Sequence, residues 1–74
     1  MHDNIYYVIK FDDKSYWTGY NNWSPQIRQA RIYSSVKMAK EVAEDCLQRG
    51  SVSKVFNSYK VIAIKFIIIG EVEE

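Results

Sequence analysis

The apolar positions of this chain fall into three patterns, and each predicts one kind of element. Residues 59–69, YKVIAIKFIII, form the most apolar run. Val61, Ile62, Ile64, Ile67, Ile68 and Ile69 are β-branched, and Tyr59 and Phe66 are aromatic, so the run predicts a strand. Residues 5–11, IYYVIKF, predict another. Alternation places Ile5, Tyr7, Ile9 and Phe11 on one face and Tyr6, Val8 and Lys10 on the other. The polar connection Asp12-Asp13-Lys14-Ser15 then joins this strand to a second one over residues 16–20, YWTGY, as a β-hairpin.

The third pattern is helical. Val36, Ala39, Val42, Ala43 and Cys46, with Leu47 beside them, make one apolar stripe over residues 36–48. Lys37, Lys40, Glu41, Glu44 and Asp45 cover the outside. Ser34 or Ser35 supplies an N-cap hydroxyl, Arg49 suits the negative end of the helix dipole, and Gly50 follows as the C′ residue. Between the hairpin and the helix, Asn21-Asn22-Trp23-Ser24-Pro25 breaks the second strand, because proline cannot donate to a ladder. Residues 26–30 have no decided structure, though Ser24 could cap a short turn with Pro25 in its first position. Arg31, Ile32 and Tyr33 suit a short extended piece. Residues 51–58 fit either a short strand or a helical turn, and the apolar Val52, Val55 and Phe56 require part of that segment to pack.

The predicted fold is therefore α+β, a β-β-α-β chain: a three-stranded antiparallel sheet with one amphipathic helix on one face. Residues 1–74 form a single domain, of which 71–74 are an acidic tail. The last strand should lie beside the first, with Ile62, Ile64, Phe66 and Ile68 under the helix against Ile5, Tyr7, Ile9 and Phe11. That arrangement leaves a second face. It would carry Tyr6, Val8, Val61, Ala63, Ile67 and Ile69, with Tyr16 or Trp17, and only Lys10 and Lys65 as charges. A solvated sheet face is normally polar, so this one calls for a cover. Trp23 and residues 51–58 could fold back over it. Alternatively a second copy or a partner could hide it, with Tyr6, Val8, Val61, Lys65 and Ile67 as the self-association face.

Composition narrows the function classes. A chain of 74 residues buries only about 60% of its unfolded surface. Aromatic residues make up 15%, a share that suits contact surfaces as well as a core. The single cysteine, Cys46, permits neither an internal disulfide nor a cysteine-based zinc site, and it falls on the helix stripe as a small buried hydrophobe. The opening residues lack a signal-peptide pattern, and the apolar run is too short and too charged to span a bilayer, so a soluble cytoplasmic protein is expected, with no membrane partner.

Catalytic signals are sparse. His2, the one histidine, lies in a polar terminus, which argues against a triad or a histidine metal site. Asp12 and Asp13 read as turn formers rather than paired carboxylates. Gly19, Gly50 and Gly70 make no phosphate loop. The expectation is a non-enzyme with no cofactor and no metal. Net charge is +1, although outside the acidic tail ten basic residues face six acidic ones. Lys10, Arg28, Arg31 and Lys65, with aromatic rings for stacking, are the candidates for nucleic-acid binding. Against that reading stand the near-neutral balance and the absence of a glycine-aromatic RNA-recognition pattern. Protein binding is favoured, because YWTGYNNWSPQIRQAR concentrates the residue types of hot spots: Tyr16, Trp17, Tyr20, Trp23 and Arg28. At least one of Trp17 and Trp23 should instead anchor the core.

The "YYVI" strand, the aromatic second strand, and Ala30-Arg31-Ile32-Tyr33-Ser34 opening a helix with Ala39 and Ala43 resemble small uncharacterised proteins encoded by phages and prophages. The resemblance spans most of the chain and contains no catalytic signature. It implies phage origin, a small α+β fold, and action by binding a host or phage protein in the host cytoplasm, including inhibition of CRISPR or other host defences. Because this chain is not an acidic DNA mimic, such anti-CRISPR inhibition would have to work through its aromatic surface. The alternatives are a nucleic-acid accessory protein and a structural homodimer.

Overall fold

The computed structural model describes residues 5–65, the side chain of Ser51 excepted. The fold is α+β, with a four-stranded antiparallel sheet and one helix. The strands are β1 (Ile5–Phe11), β2 (Ser15–Gly19), β3 (Asn22–Ser24) and β4 (Tyr59–Lys65), in the order β3-β2-β1-β4. The helix α1 covers Val36–Arg49. Short 3-10 turns cover Ile27–Gln29 and Ser51–Lys54. The fold class and the placing of the last strand beside the first agree with the sequence reading, but the sheet has four strands rather than three. The additional strand is Asn22–Ser24, in the segment read as a break. Tyr20 and Asn21 both adopt positive φ, 54° and 61°, which is the geometry of a two-residue hairpin turn. The chain therefore doubles back and pairs Trp23 with Trp17 and Ser24 with Tyr16 before Pro25 ends the ladder.

β1 is the central strand, and its two edges are filled differently. β4 pairs along its whole length, from Ile5 opposite Lys65 to Phe11 opposite Tyr59. β2 pairs only beside the turn, Lys10 with Tyr16 and Phe11 with Ser15. Further along that edge a later segment takes over. Tyr7 and Tyr33 exchange both backbone hydrogen bonds at 2.8 Å, and the Arg31 amide donates to the Trp17 carbonyl at 2.8 Å. Residues 31–33 thus wedge between β1 and β2, as the extended piece anticipated from the sequence.

The core lies between sheet and helix. Ile9 and Phe11 from β1 and Trp17 from β2 meet Tyr33, the helix residues Ala39, Ala43 and Cys46, and Val52 and Phe56 from the segment after the helix. Small residues on the helix stripe let it sit close to the aromatic rings. Phe56 stacks on Phe11 at 5.5 Å and meets Trp23 edge-on at 5.4 Å. Ser35 is the N-cap, accepting from the Met38 amide at 3.1 Å. Gly50 ends the helix without the left-handed backbone expected of a C′ glycine, since its φ is −85°. It is small for another reason: a Cβ there would stand 3.0 Å from the Cys46 carbonyl oxygen.

The facing of β4 also differs from expectation. Cross-strand partners share a face, so Val61 opposite Ile9 and Tyr59 opposite Phe11 lie on the helix side. Both pack against the core cluster. Ile62, opposite Val8, and Ile64, opposite Tyr6, lie on the second face. The pairing is shifted by one residue from the one the sequence suggested, and such a shift exchanges every side chain between faces. Phe66, Ile67, Ile68 and Ile69, with the acidic tail, lie outside the described residues.

The cover of the second face comes from neither of the segments proposed for it. Trp23 and the buried Val52 and Phe56 are on the helix side. Residues 27–32 come over part of it instead, although Ile27 and Ile32 themselves stay exposed. The buried Ser24 accepts from the Gln26 amide and donates to the Gln29 side chain, which fixes the 3-10 turn over this face. Ile27, Ala30, Ile32 and Ile64 line a cavity of about 300 Å³ with Arg28 at its side. Val8 is completely buried although it stands outside the helix-side cluster.

Candidate functional site

The tip of the β2–β3 hairpin and one flank of α1 form the walls of an open groove of about 540 Å³. Trp17, Tyr20 and Asn21 make the hairpin wall, and Glu41, Val42 and Asp45 make the helix wall. Cys46 and Gly50 close the helix end. The local sequence explains both walls. Gly19, at φ 95°, takes a backbone that side chains rarely adopt, and Arg31 lies against it. Tyr20 and Asn21 complete the turn, and both line the groove. Glu41 and Asp45 are four residues apart and therefore stand on one helical face.

Tyr20 is 87% exposed. The guanidinium of Arg31 lies 5.9 Å from its ring centroid, a cation–π contact that holds the ring. Trp17 behind it is buried, and its Nε1 donates to the Tyr33 hydroxyl at 2.9 Å. Of the two carboxylates, Asp45 is paired with Arg49, whose Nε donates to it at 2.7 Å. Glu41 has no ion-pair partner among the described residues. Burial raises the Cys46 thiol above its ordinary value, and the Asp45 charge acts in the same direction. Cys46 therefore stays protonated at neutral pH, which is the opposite of an activated nucleophile.

The sequence candidates do not form one surface. Tyr20 and Trp17 share the groove, Trp17 as a buried part of its hairpin wall. Trp23 is half-buried against Phe56, so both tryptophans serve the core. Tyr16 lies on the second face, where the Lys10 ammonium sits 5.1 Å from its ring centroid. Arg28 is exposed beside the second-face cavity and donates to the Gln26 side chain at 2.8 Å. The self-association candidates divide in the same way. Tyr6 and Val8 are on the second face, Val61 and Lys65 share the helix-side facing, and Ile67 lies outside the described residues. Of the nucleic-acid candidates, Lys10 and Arg28 belong to the second face, Arg31 stacks on Tyr20, and Lys65 ends β4 with the opposite facing.

Asp12 and Asp13 act as turn residues, both with positive φ. The Asp12 carboxylate accepts from the Ser58 amide and hydroxyl at 2.8 Å each and from the Asn57 amide at 3.1 Å. These hydrogen bonds, the Ser58 hydroxyl first, hold its pKa below the ordinary value. Asp13 pairs with Lys60, and its pKa is lowered too. The helix wall of the groove is what the sequence missed, because Glu41 and Asp45 read there as an ordinary solvated face. The available signal was Tyr20 itself, a large ring in a turn that asparagine and glycine would form more easily.

Comparison with protein-family models, with curated proteins and with solved structures finds no match. Among the described residues no helix is long and apolar enough to cross a membrane. Nor do three His, Cys, Asp or Glu side chains come together there as a metal site would require.

Proposed function

We propose that this chain is a non-catalytic protein-binding domain, and that its contact site is the groove between the β2–β3 turn and α1. The observation that carries this reading is Tyr20. A tyrosine at a left-handed turn position is a conformationally costly choice, and at this exposure its ring returns little burial energy. A role in contact accounts for it, since tyrosine gives a large, stiff, amphipathic surface. The opposite wall offers Glu41, which has no ion-pair partner among the described residues. A partner lysine or arginine entering the groove would meet an aromatic face on one side and a carboxylate on the other.

Selection from a random peptide library tests this. Peptides centred on a basic side chain should be enriched. Tyr20→Ala and Glu41→Lys should each abolish their binding while the circular dichroism of the fold is unchanged. Enrichment without a basic residue, or binding indifferent to both substitutions, would remove the groove as the site.

A further inference from the structure

The two edges of the sheet are unequal. β3, at one edge, has three residues and stops at Pro25, which is how natural sheets blunt an edge. β4, at the other, has seven residues, and among the described residues no strand lies on its far side. Its central stretch, Val61, Ile62, Ala63 and Ile64, carries no charge, and Lys60 and Lys65 flank it. An edge strand of this length with an uncharged centre is a template for another strand. Beside it on the helix side runs a groove of about 510 Å³, floored by Tyr7, Val61 and Ala63 and bounded by Val36.

We propose that β4 pairs antiparallel with β4 of a second copy, about a two-fold axis through Ile62, to make a continuous eight-stranded sheet. The strand's own sequence selects this occupant and this register. A two-fold axis perpendicular to the sheet keeps both helices on one side. It therefore requires opposed residues of equal facing, and so it must pass through a residue. Passing through Ile62 overlaps all seven residues of each strand. Ile62 then faces its own copy, Val61 faces Ala63 of the other chain, and Lys60 faces Ile64. No lysine opposes a lysine, an arrangement that would weaken the pair. An axis through Lys60 would oppose Lys60 to itself and overlap far less of the strand. The Val61–Ala63 pairs would extend the apolar floor of the helix-side groove across the junction. This interface is separate from the Tyr20 groove, so either reading can fail without the other.

Two measurements decide the matter on the whole chain. Light scattering across a concentration series should approach twice the 8.7 kDa chain mass. Single cysteines, each introduced with the native Cys46 changed by Cys46→Ala, then read the register. Residues opposed across an antiparallel pair have Cα atoms about 4.5–5.5 Å apart, within disulfide range. Ile62→Cys should oxidise to a linked dimer. Val61→Cys and Ala63→Cys should not link alone, because each would sit about 8 Å from its own copy. A mixture of those two variants should link to each other, with the pairing mapped by mass spectrometry. A single-chain mass at the highest concentration, which would leave the edge to solvent or to a foreign strand, overturns the proposal. So does linkage that is indifferent to position.

Discussion

Replacing Tyr33 by phenylalanine removes one oxygen atom and tests how the wedge between β1 and β2 is held. In the native protein the Tyr33 hydroxyl accepts from Trp17 Nε1 at 2.9 Å, and the two residues are 7% and 6% exposed. No buried side-chain nitrogen or oxygen among the described residues lacks a partner. The variant keeps the ring and its packing but leaves the indole N–H without its acceptor in a largely buried place. The loss is the desolvation penalty of an orphaned donor, about 1–3 kcal/mol. A 74-residue domain has roughly 4–11 kcal/mol in total, so this is a substantial share. Each kcal/mol moves Tm by about 4–8 °C at this size, and a fall of about 10 °C is expected. Urea melts followed by circular dichroism give the free energy.

Adding Trp17→Phe closes a double-mutant cycle, in which the coupling should be about 0.5–3 kcal/mol. An alkaline titration supplies an independent reading. Burial raises the Tyr33 pKa above its ordinary 10.0. Its contribution is therefore fully present below pH 10.0 and is lost as pH rises through the folded value. The phenylalanine variant should lose less stability over that range than the native chain. A loss below about 0.5 kcal/mol, with no coupling, would mean that the indole N–H finds water and that the wedge is not held as described.

Two further outcomes follow from the turns. Asp12 has a lowered folded pKa, so its contribution is present above its ordinary value of 3.8 and disappears as pH falls through the folded value. Asp12→Asn should destabilise the chain at neutral pH and flatten the acid limb of the stability curve, measured by thermal melts from pH 6 to pH 2; an unchanged acid limb would deny the Asp12–Ser58 clamp its role. Gly50→Ala would press a methyl group against the Cys46 carbonyl, the acceptor of the Gly50 amide, and should cost about 1–3 kcal/mol despite the stiffer unfolded chain; a stabilised variant in denaturant melts would show that the helix end yields freely.

The sequence was legible where one residue's neighbours in the chain decide its environment. The alternation of Ile5–Phe11, the Asp12-Asp13 turn and the helix stripe from Ala39 to Cys46 reappear in the structure, because local periodicity carries them, whereas Val36 at the head of the stripe is exposed. It failed where two distant segments had to be matched. Nearly every position of β4 is apolar, so alternation could not say which half faces the helix, and the Val8–Ile62 pairing settles a choice that composition leaves even. The third strand was missed because Asn22-Trp23-Ser24 is short and its turn places a tyrosine where a hairpin signal would have shown glycine. At the groove, Tyr20 could be singled out from its chemistry. Glu41 could not, since nothing in a helical charge pattern says which carboxylate a distant hairpin will approach.

The split edge of β1 also bears on how the chain reaches its fold. Because Tyr33 takes the place that β2 would otherwise fill, the first hairpin can close only two cross-strand pairs beside its turn. Isolated hairpins are marginal even when fully zipped, so this one is a poor nucleus. The extensive pairing of β1 is with β4, some fifty residues away in sequence, and it must close a long loop before it returns any energy. Folding should therefore be slower than that of a helical bundle of this size, as for other domains that mix helix and sheet. Its transition state would be set by β1 meeting β4 under the helix rather than by the turn at Asp12, and substitutions at Ile9 and Val61 should slow folding while those in the hairpin mainly hasten unfolding.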